Sequence, residues 1–429
     1  MISLPPRLRK KAEALRWRWL NRFDELIMTS TIERAMLRRI GAADASSASP
    51  GKSILIDVSV IHDNDAGTGI QRVVRSLRQH LPAAVDRSTD LELLIVPSQR
   101  EGYVTMSGSA LAGSPNAVFF GLDFATDSIF QFRRKLREFK LAGGQLWFVV
   151  HDILPISHPH WFTHASRLKY RRWMRVIAAL ADGIMCVSPV VSDQVRGLLI
   201  NRYGIEDLPR IVTVELGSDI TPADRELAIS ELPTAAGLDA SKFTNSALVV
   251  GTLEPRKGHA DVLAAFELIW AAGHEIPLIL IGRAGWNTEG LQQRIRHHPQ
   301  NGQLLFWLED VVDHALHAAY RHCRLVIVPS LAEGYGLPLD EALALGSPVL
   351  ARNIPVFGRH IDVRMSYFAE HADAASIAEA IIAAHEGAHG PRRLAPLRQW
   401  EDTARQVADA LGCANSMPNS ITAGHSAAV

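Results

Sequence analysis

Short apolar runs alternate with helical patterns along most of the chain. A first series comprises ILIDVSV (54–60), LELLIVPS (91–98), AVFFGLD (117–123), QLWFVVHD (145–152), GIMCVS (183–188) and IVTVEL (211–216). A second comprises NSALVVGTL (245–253), PLILIGR (277–283), QLLFWL (303–308), RLVIVPS (324–330) and SPVLAR (347–352). Near-continuous apolar runs, rather than alternating ones, suit strands covered on both faces. With helices between them they predict parallel sheets wound on both sides. The expectation is an α/β chain with two doubly wound, Rossmann-like domains, at 51–216 and 217–397. The joint falls in 217–244, rich in Pro, Asp, Ser and Ala. RQWEDTARQVADAL gives a last helix at 398–411, and the aperiodic 412–429 reads as a disordered tail. Ahead of the domains, 1–50 reads as a helix followed by the small-residue linker AADASSASPGKS (42–53).

Composition narrows the function classes. Of 429 residues, 47% are apolar and 21% charged, as in ordinary soluble proteins. Forty-five basic side chains balance forty-five acidic ones, so no overall field favours nucleic acid. Cys186, Cys323 and Cys413 show no metal or disulfide spacing, which points to a reducing, cytoplasmic setting. No apolar run approaches the ~20 residues needed to cross a bilayer. The first residues lack the apolar core of a signal peptide.

Charge is nevertheless uneven. Residues 1–23 carry seven basic side chains against Glu13 alone. Leu8, Ala12, Leu15, Trp19 and Phe23 recur at helical spacing. Such a helix suits peripheral attachment to an anionic inner-membrane surface, or a leading helix packed on the first domain.

In open α/β sheets ligands gather at the carboxyl ends of strands, so candidate chemistry is sought there. After the first strand, Gly67, Thr68 and Gly69 form a turn opening a helix near Ile70, able to approach a phosphate or sugar. A dinucleotide fingerprint would need glycine where Arg72 stands, which removes the NAD reading. Asp63 and Asp65 form a D-x-D pair, read as turn chemistry rather than a metal site. His151 and Asp152 end a strand and face the expected cleft. Ser192 is expected to cap the helix DQVRGLL. Arg256 and Lys257 follow the first strand of the second series and suit a diphosphate.

The stretch VPSLAEGYGLPLDEALALGSPVLA (328–351) carries Glu333 and Glu341 on either side of a glycine turn, with Pro338 fitting the first turn of a helix. The N–H groups of Gly334, Tyr335, Gly336 and Leu337 would face the same cleft as Arg256 and Lys257. Two carboxylates would repel a phosphate, but suit hydroxyls on both sides of one. A nucleoside-diphosphate sugar has such hydroxyls, on its ribose and on its sugar.

These blocks, with GTLEPRKGHADVLAAF, IGRAGW and VHDILPISHPHWF, resemble the large retaining glycosyltransferase family four of GT-B fold. GTGIQRVVRSL resembles its bacterial mannosyl- and rhamnosyltransferase branch, which builds surface polysaccharides. The resemblance covers about 52–411 and implies two domains facing a central cleft. WEDTA resembles the start of the family's terminal helix, which crosses back to the first domain. The resemblance implies that Glu333 meets the donor sugar and Glu341 the ribose. It implies that Arg256 and Lys257 hold the diphosphate, that His151 contacts the sugar, and that Gly67–Gly69 line the cleft. It implies retention of configuration, no metal and no cofactor. The donor would be a nucleotide sugar, favoured as GDP-linked, and the acceptor a glycan or lipid-linked oligosaccharide. Tyr335 stands where phenylalanine is commoner, and PVFGRHIDVRMSYF departs from the family's Glu-containing turn. Two other readings remain: a nucleotide-sugar epimerase on this fold, and a nucleotide-sugar-binding scaffold or regulatory subunit without catalysis.

Overall fold

The computed structural model describes residues 52–415, apart from 66, 98–101, 361, 363 and 388–397. The readings of residues 1–23, of most of the 42–53 linker and of the tail beyond 415 lie outside the described residues.

The first sheet contains β1 (Ser53–Asp57), β2 (Asp90–Ile95), β3 (Val104–Thr105), β4 (Ala117–Gly121), β5 (Gln145–Val150), β6 (Gly183–Cys186) and β7 (Arg210–Thr213). Their order is β3-β2-β1-β4-β5-β6-β7, parallel except for the β2–β3 pair. The second contains β8 (Ala247–Val250), β9 (Leu278–Ile281), β10 (Leu305–Leu308), β11 (Leu325–Val328), β12 (Val349–Arg352) and β13 (Met365–Phe368). It is wholly parallel, in the order β10-β9-β8-β11-β12-β13. Chain direction along each sheet reverses between β1 and β4, and between β8 and β11. Crevices at such reversals are where ligands lie in this architecture.

The apolar runs extend past the strands they contain. β1 stops at Asp57, and a short helix, Ser59–Asp63, follows at once. The extra apolar residues are the loop residues leaving each strand. Val58, Leu122, Val187, Leu216 and Leu253 are all buried. They are dry because they pack into the hydrophobic cores around their own sheets, so hydrophobicity does not mark where pairing ends. β3 and β13 gave no apolar run. β3 has two residues, and β13 is a half-exposed edge strand. PVFGRHIDVRMSYF, read as a turn, thus contains a 3-10 turn (Pro355–Arg359) and the last strand.

Six helices matter to the site: α1 (Gly69–Ala84), α2 (Arg133–Leu141), α3 (His164–Leu180), α4 (Asp313–His322), α5 (Leu337–Ala344) and α6 (Trp400–Leu411). Residues 217–244 fold as two 3-10 turns and a short helix against the second sheet. Asp224 meets His317 of α4 at 2.9 Å there. Helix α6 packs on α1, and its Trp400, Ala404, Val407, Ala408 and Leu411 belong to the core around the first sheet. The chain leaves that sheet beside the point where it returns. Ser218 N–H donates to the Arg398 carbonyl at 3.0 Å, and a side chain on Gly217 would collide with Trp400.

The Ser192 expectation is corrected. The helix begins earlier, at Pro189, whose fixed φ suits a first helical position. Ser188 is the cap, its Oγ accepting from Val191 N–H at 3.2 Å. Ser192 lies inside the helix and bonds the Thr213 hydroxyl at 2.8 Å.

Candidate active site

The strand ends of the two sheets face one another across a cleft of about 530 Å³. Twelve of the residues singled out above line it: Gly67, Thr68, Gly69, His151, Arg256, Lys257, Glu333, Gly334, Tyr335, Gly336, Leu337 and Glu341.

The turn at 67–69 owes its shape to two local devices. Gly67 adopts φ 66°, and Thr68 caps α1 in a reciprocal box with Gln71. Asp65 Oδ1 accepts from Gly67 N–H at 3.1 Å, and its Oδ2 accepts from Arg75 at 2.7 Å. Asp65 is therefore engaged in closing the turn. Among the described residues no group of three His, Cys, Asp or Glu side chains is placed to hold a metal ion.

Glu333 meets both candidate cations directly. Lys257 Nζ donates to Oε1 at 2.5 Å, Arg256 Nη1 to Oε2 at 2.9 Å, and Ser330 adds a third bond at 2.8 Å. Burial pushes the Glu333 carboxyl up, but Lys257 and then Arg256 outweigh it and hold the group at about 2. Arg256 is fixed a second time, by Glu254 at 2.8 Å. Two cations and two carboxylates therefore neutralise one another in a nearly enclosed cluster. The guanidinium still has N–H groups beyond the two used here.

Glu341, eight positions later, turns to other partners. It is 6% exposed, and Arg72 of α1 binds its Oε1 across the cleft. Tyr320 OH donates to its Oε2 at 3.0 Å. Arg72 also approaches Asp219 at 3.7 Å and Asp313 at 4.0 Å. Arg72, Asp219 and Tyr320 had no sequence signal as site residues. Arg72 was noticed only for breaking a glycine fingerprint, although its place one turn into a helix at a strand end was available.

Between these carboxylates the chain crosses to the other sheet. Ser188 Oγ donates to the Gly334 carbonyl at 2.7 Å, and Tyr335 OH donates to the Leu216 carbonyl at 2.9 Å. A side chain at 334 would overlap the His151 carbonyl oxygen. Gly336 caps α5 at φ 96° with the Phe357 ring close by, so two separate constraints require glycine there. Pro338 occupies the second position of α5.

His151 directly follows β5 at the cleft wall. Burial pushes its imidazole down to about 4, so it is neutral at pH 7. Its Nε2 has no hydrogen-bond partner among the described residues. Asp152 beside it is raised by burial, although Arg256 opposes the shift, and Oδ1 accepts from Leu154 N–H. Phe162 and Trp286 also line the cleft and had no separate signal.

Residues 238–405 match the model described as glycosyl transferases group 1. The chain resembles that family over β8–β13 and the start of α6. It is 34% identical over 360 residues to the serotype-specific mannosyltransferase WbdA of Escherichia coli, covering 80% of this chain and 42% of that one. The chain thus spans less than half the length of that relative. Over 193 residues it is 28% identical to a phosphatidyl-myo-inositol mannosyltransferase of Mycobacterium leprae, covering 43% and 50%. Among solved structures, the catalytic domain of starch synthase IV from Arabidopsis thaliana, bound to ADP and acarbose, superposes with TM-score 0.57. Identity is 12%, with 85% of this chain and 99% of that one covered. Anabaena HepE in complex with UDP-glucose gives TM-score 0.54 at 14% identity, covering 83% and 94%. These likenesses identify the two-sheet architecture as the GT-B fold.

Proposed function

We propose that the chain is a retaining, metal-independent hexosyltransferase that moves mannose, or rhamnose, from a nucleoside-diphosphate sugar. The acceptor is a glycan or lipid-linked oligosaccharide of a surface polysaccharide. The observation that carries this reading is the Glu333–Arg256–Lys257 cluster at the β8/β11 reversal, with Glu341 on the helix beside it. Two mannosyltransferases among the relatives support the sugar. The donor base in this reading is guanine.

In this reading the diphosphate lies on Lys257, on the remaining N–H groups of Arg256 and at the start of α5. These groups meet the negative charge that grows on the leaving phosphate. Glu333, already oriented by both cations, accepts from sugar hydroxyls. His151, neutral, offers one nitrogen as acceptor and one as donor to the same sugar. The acceptor hydroxyl attacks the anomeric carbon on the face the phosphate leaves. Its proton passes to a leaving phosphate oxygen, and no protein nucleophile is required. Glu341 and Arg72 grip the ribose end. No cofactor is called for.

The deciding experiment is a screen of nucleotide sugars for a rise in melting temperature, followed by donor hydrolysis and transfer in excess EDTA. Stabilisation by GDP-mannose, with turnover that survives chelation, is expected. Stabilisation without any turnover would favour the binding-subunit reading, and conversion of the donor to a stereoisomer that is still a nucleotide sugar would favour an epimerase.

A membrane-facing acceptor has its own support. α2 and α3 pack together and carry Arg133, Arg134, Lys135, Arg137, Arg167, Lys169, Arg171 and Arg175 at least partly exposed, with Glu138 the one acid on either helix. Among the described residues no helix is long and apolar enough to cross a membrane. Peripheral contact through this face and residues 1–23 predicts co-sedimentation with anionic liposomes at low salt. Indifference to such liposomes would remove the membrane from the proposal.

A further inference from the structure

A second contact between the sheets lies away from the carboxylates. Trp286, in the loop after β9, donates its indole N–H to the Trp161 carbonyl at 2.9 Å. Its ring faces Phe162 at 6.0 Å and 31°. Trp161 itself is stacked on His158 at 4.4 Å and 6°. Both Trp286 and Phe162 line the cleft, yet Trp286 remains 38% exposed. A tryptophan serving only to hold two domains together would bury its faces, because that is where its large apolar area stabilises a contact. This one is fixed at its polar edge and keeps ring surface open to the cleft.

The loop is built to hold the ring there. Side chains at Gly282 and Gly285 would collide with the backbone of Gly251 and Leu253, so those glycines let the β8 and β9 loops touch. Thr288 Oγ1 bonds the carbonyls of Leu253 and Gly285, both at 3.1 Å. Asn287 takes the left-handed φ of 55° that turns the chain after the ring. Such pinning reduces the ordering cost of binding.

We propose that Trp286 and Phe162 form a stacking platform for a sugar ring of the acceptor glycan. The proposal rests on the glycosyltransfer reading above, whose acceptor it houses. A pyranose has an apolar C–H face that suits the negative face of an aromatic ring, and a rim of hydroxyls that remain solvated or hydrogen-bonded. The donor is not the natural occupant. The contact at Glu341 is made by Arg72 of α1, the helix after β1, whereas Phe162 lies in the segment between β5 and α3. β4 separates β1 from β5, so the two contacts come from segments that leave non-adjacent strands of the first sheet. His151 directly follows β5, so in the proposed reading the platform shares the sugar side of the cleft.

The test uses the full chain with Trp286→Leu and Trp286→Phe. The first removes the ring; the second keeps a ring and loses the bond to Trp161. Calorimetric titration with α-linked manno-oligosaccharides of increasing length reads the platform directly. Donor hydrolysis without acceptor reads the donor site. Trp286→Leu should weaken oligosaccharide binding and raise acceptor KM by about tenfold, with donor hydrolysis unchanged. Trp286→Phe should retain most of the affinity. Equal losses in the two variants, or a matching fall in donor hydrolysis, would overturn the platform in favour of a domain clamp or a donor contact. Absence of oligosaccharide binding by the unaltered chain would overturn it outright. Binding without donor turnover would sustain the platform and remove the transferase reading instead.

Discussion

Glu333 is both a partner and a competitor of the groups expected to bind diphosphate. Its carboxylate occupies Lys257 and Arg256 before any phosphate arrives. Glu333→Gln removes that competing anion while leaving the cations in place. Free nucleoside diphosphate should then bind more tightly, by roughly tenfold, while kcat for transfer falls by about 10²–10³-fold. Glu341→Gln should do the reverse to the ligand: weaken nucleoside diphosphate and donor together, mainly through KM, because ribose contacts are alike in ground and transition states. Titration of both variants with the diphosphate, alongside initial rates, checks the opposite signs. If both lose diphosphate affinity equally, the division of labour between the glutamates fails. At this scale the sequence was only partly legible. Spacing within 328–351 shows which side of a turn each carboxylate stands on. It cannot show that Arg72, 269 positions away from Glu341, lies across the cleft.

The element that joins the two halves of the site is the loop from Leu331 to Gly336. It leaves β11, reaches the first sheet at Ser188, Leu216 and His151, and returns to start α5. Gly334 is the point of closest approach, so Gly334→Ala must push the loop off the His151 carbonyl. Transfer should fall by about 10²-fold or more, the cost of a displacement near 1 Å at a reacting centre. The protein should remain folded by circular dichroism, since the added methyl meets loop backbone rather than the β8–β13 core. Unchanged turnover would mean that the loop has room to move. Fold class was legible from the sequence because parallel strands buried on both faces leave continuous apolar runs. β13 was not, because an edge strand with two exposed side chains, Ser366 and Tyr367, leaves no such run. Nor was the true start of the helix at Pro189, because Ser192 reads as the cap and Ser188 holds that place.

Across the whole molecule, the chain passes between the sheets twice, and the passages lie side by side at Gly217–Ser218 and Arg398–Trp400. Helix α6 then supplies Trp400, Ala404, Val407 and Leu411 to the core around β1–β7, and Thr403 Oγ1 donates to the Glu215 carbonyl at 2.9 Å. That arrangement has a consequence for how the protein is made. Translation at about 5–20 residues per second ordinarily lets an N-terminal domain finish folding before the next emerges. Here the first core cannot be completed until residue 411 has left the ribosome, after all of β8–β13. Nascent chains stalled just short of Trp400 should therefore protect the second sheet from protease while residues 53–213 remain cleavable, and protection of the first sheet should appear only once α6 is exposed. Early protection of 53–213 would show that α6 adds little to that core. On this account a helix synthesised after the second sheet closes the core around the first.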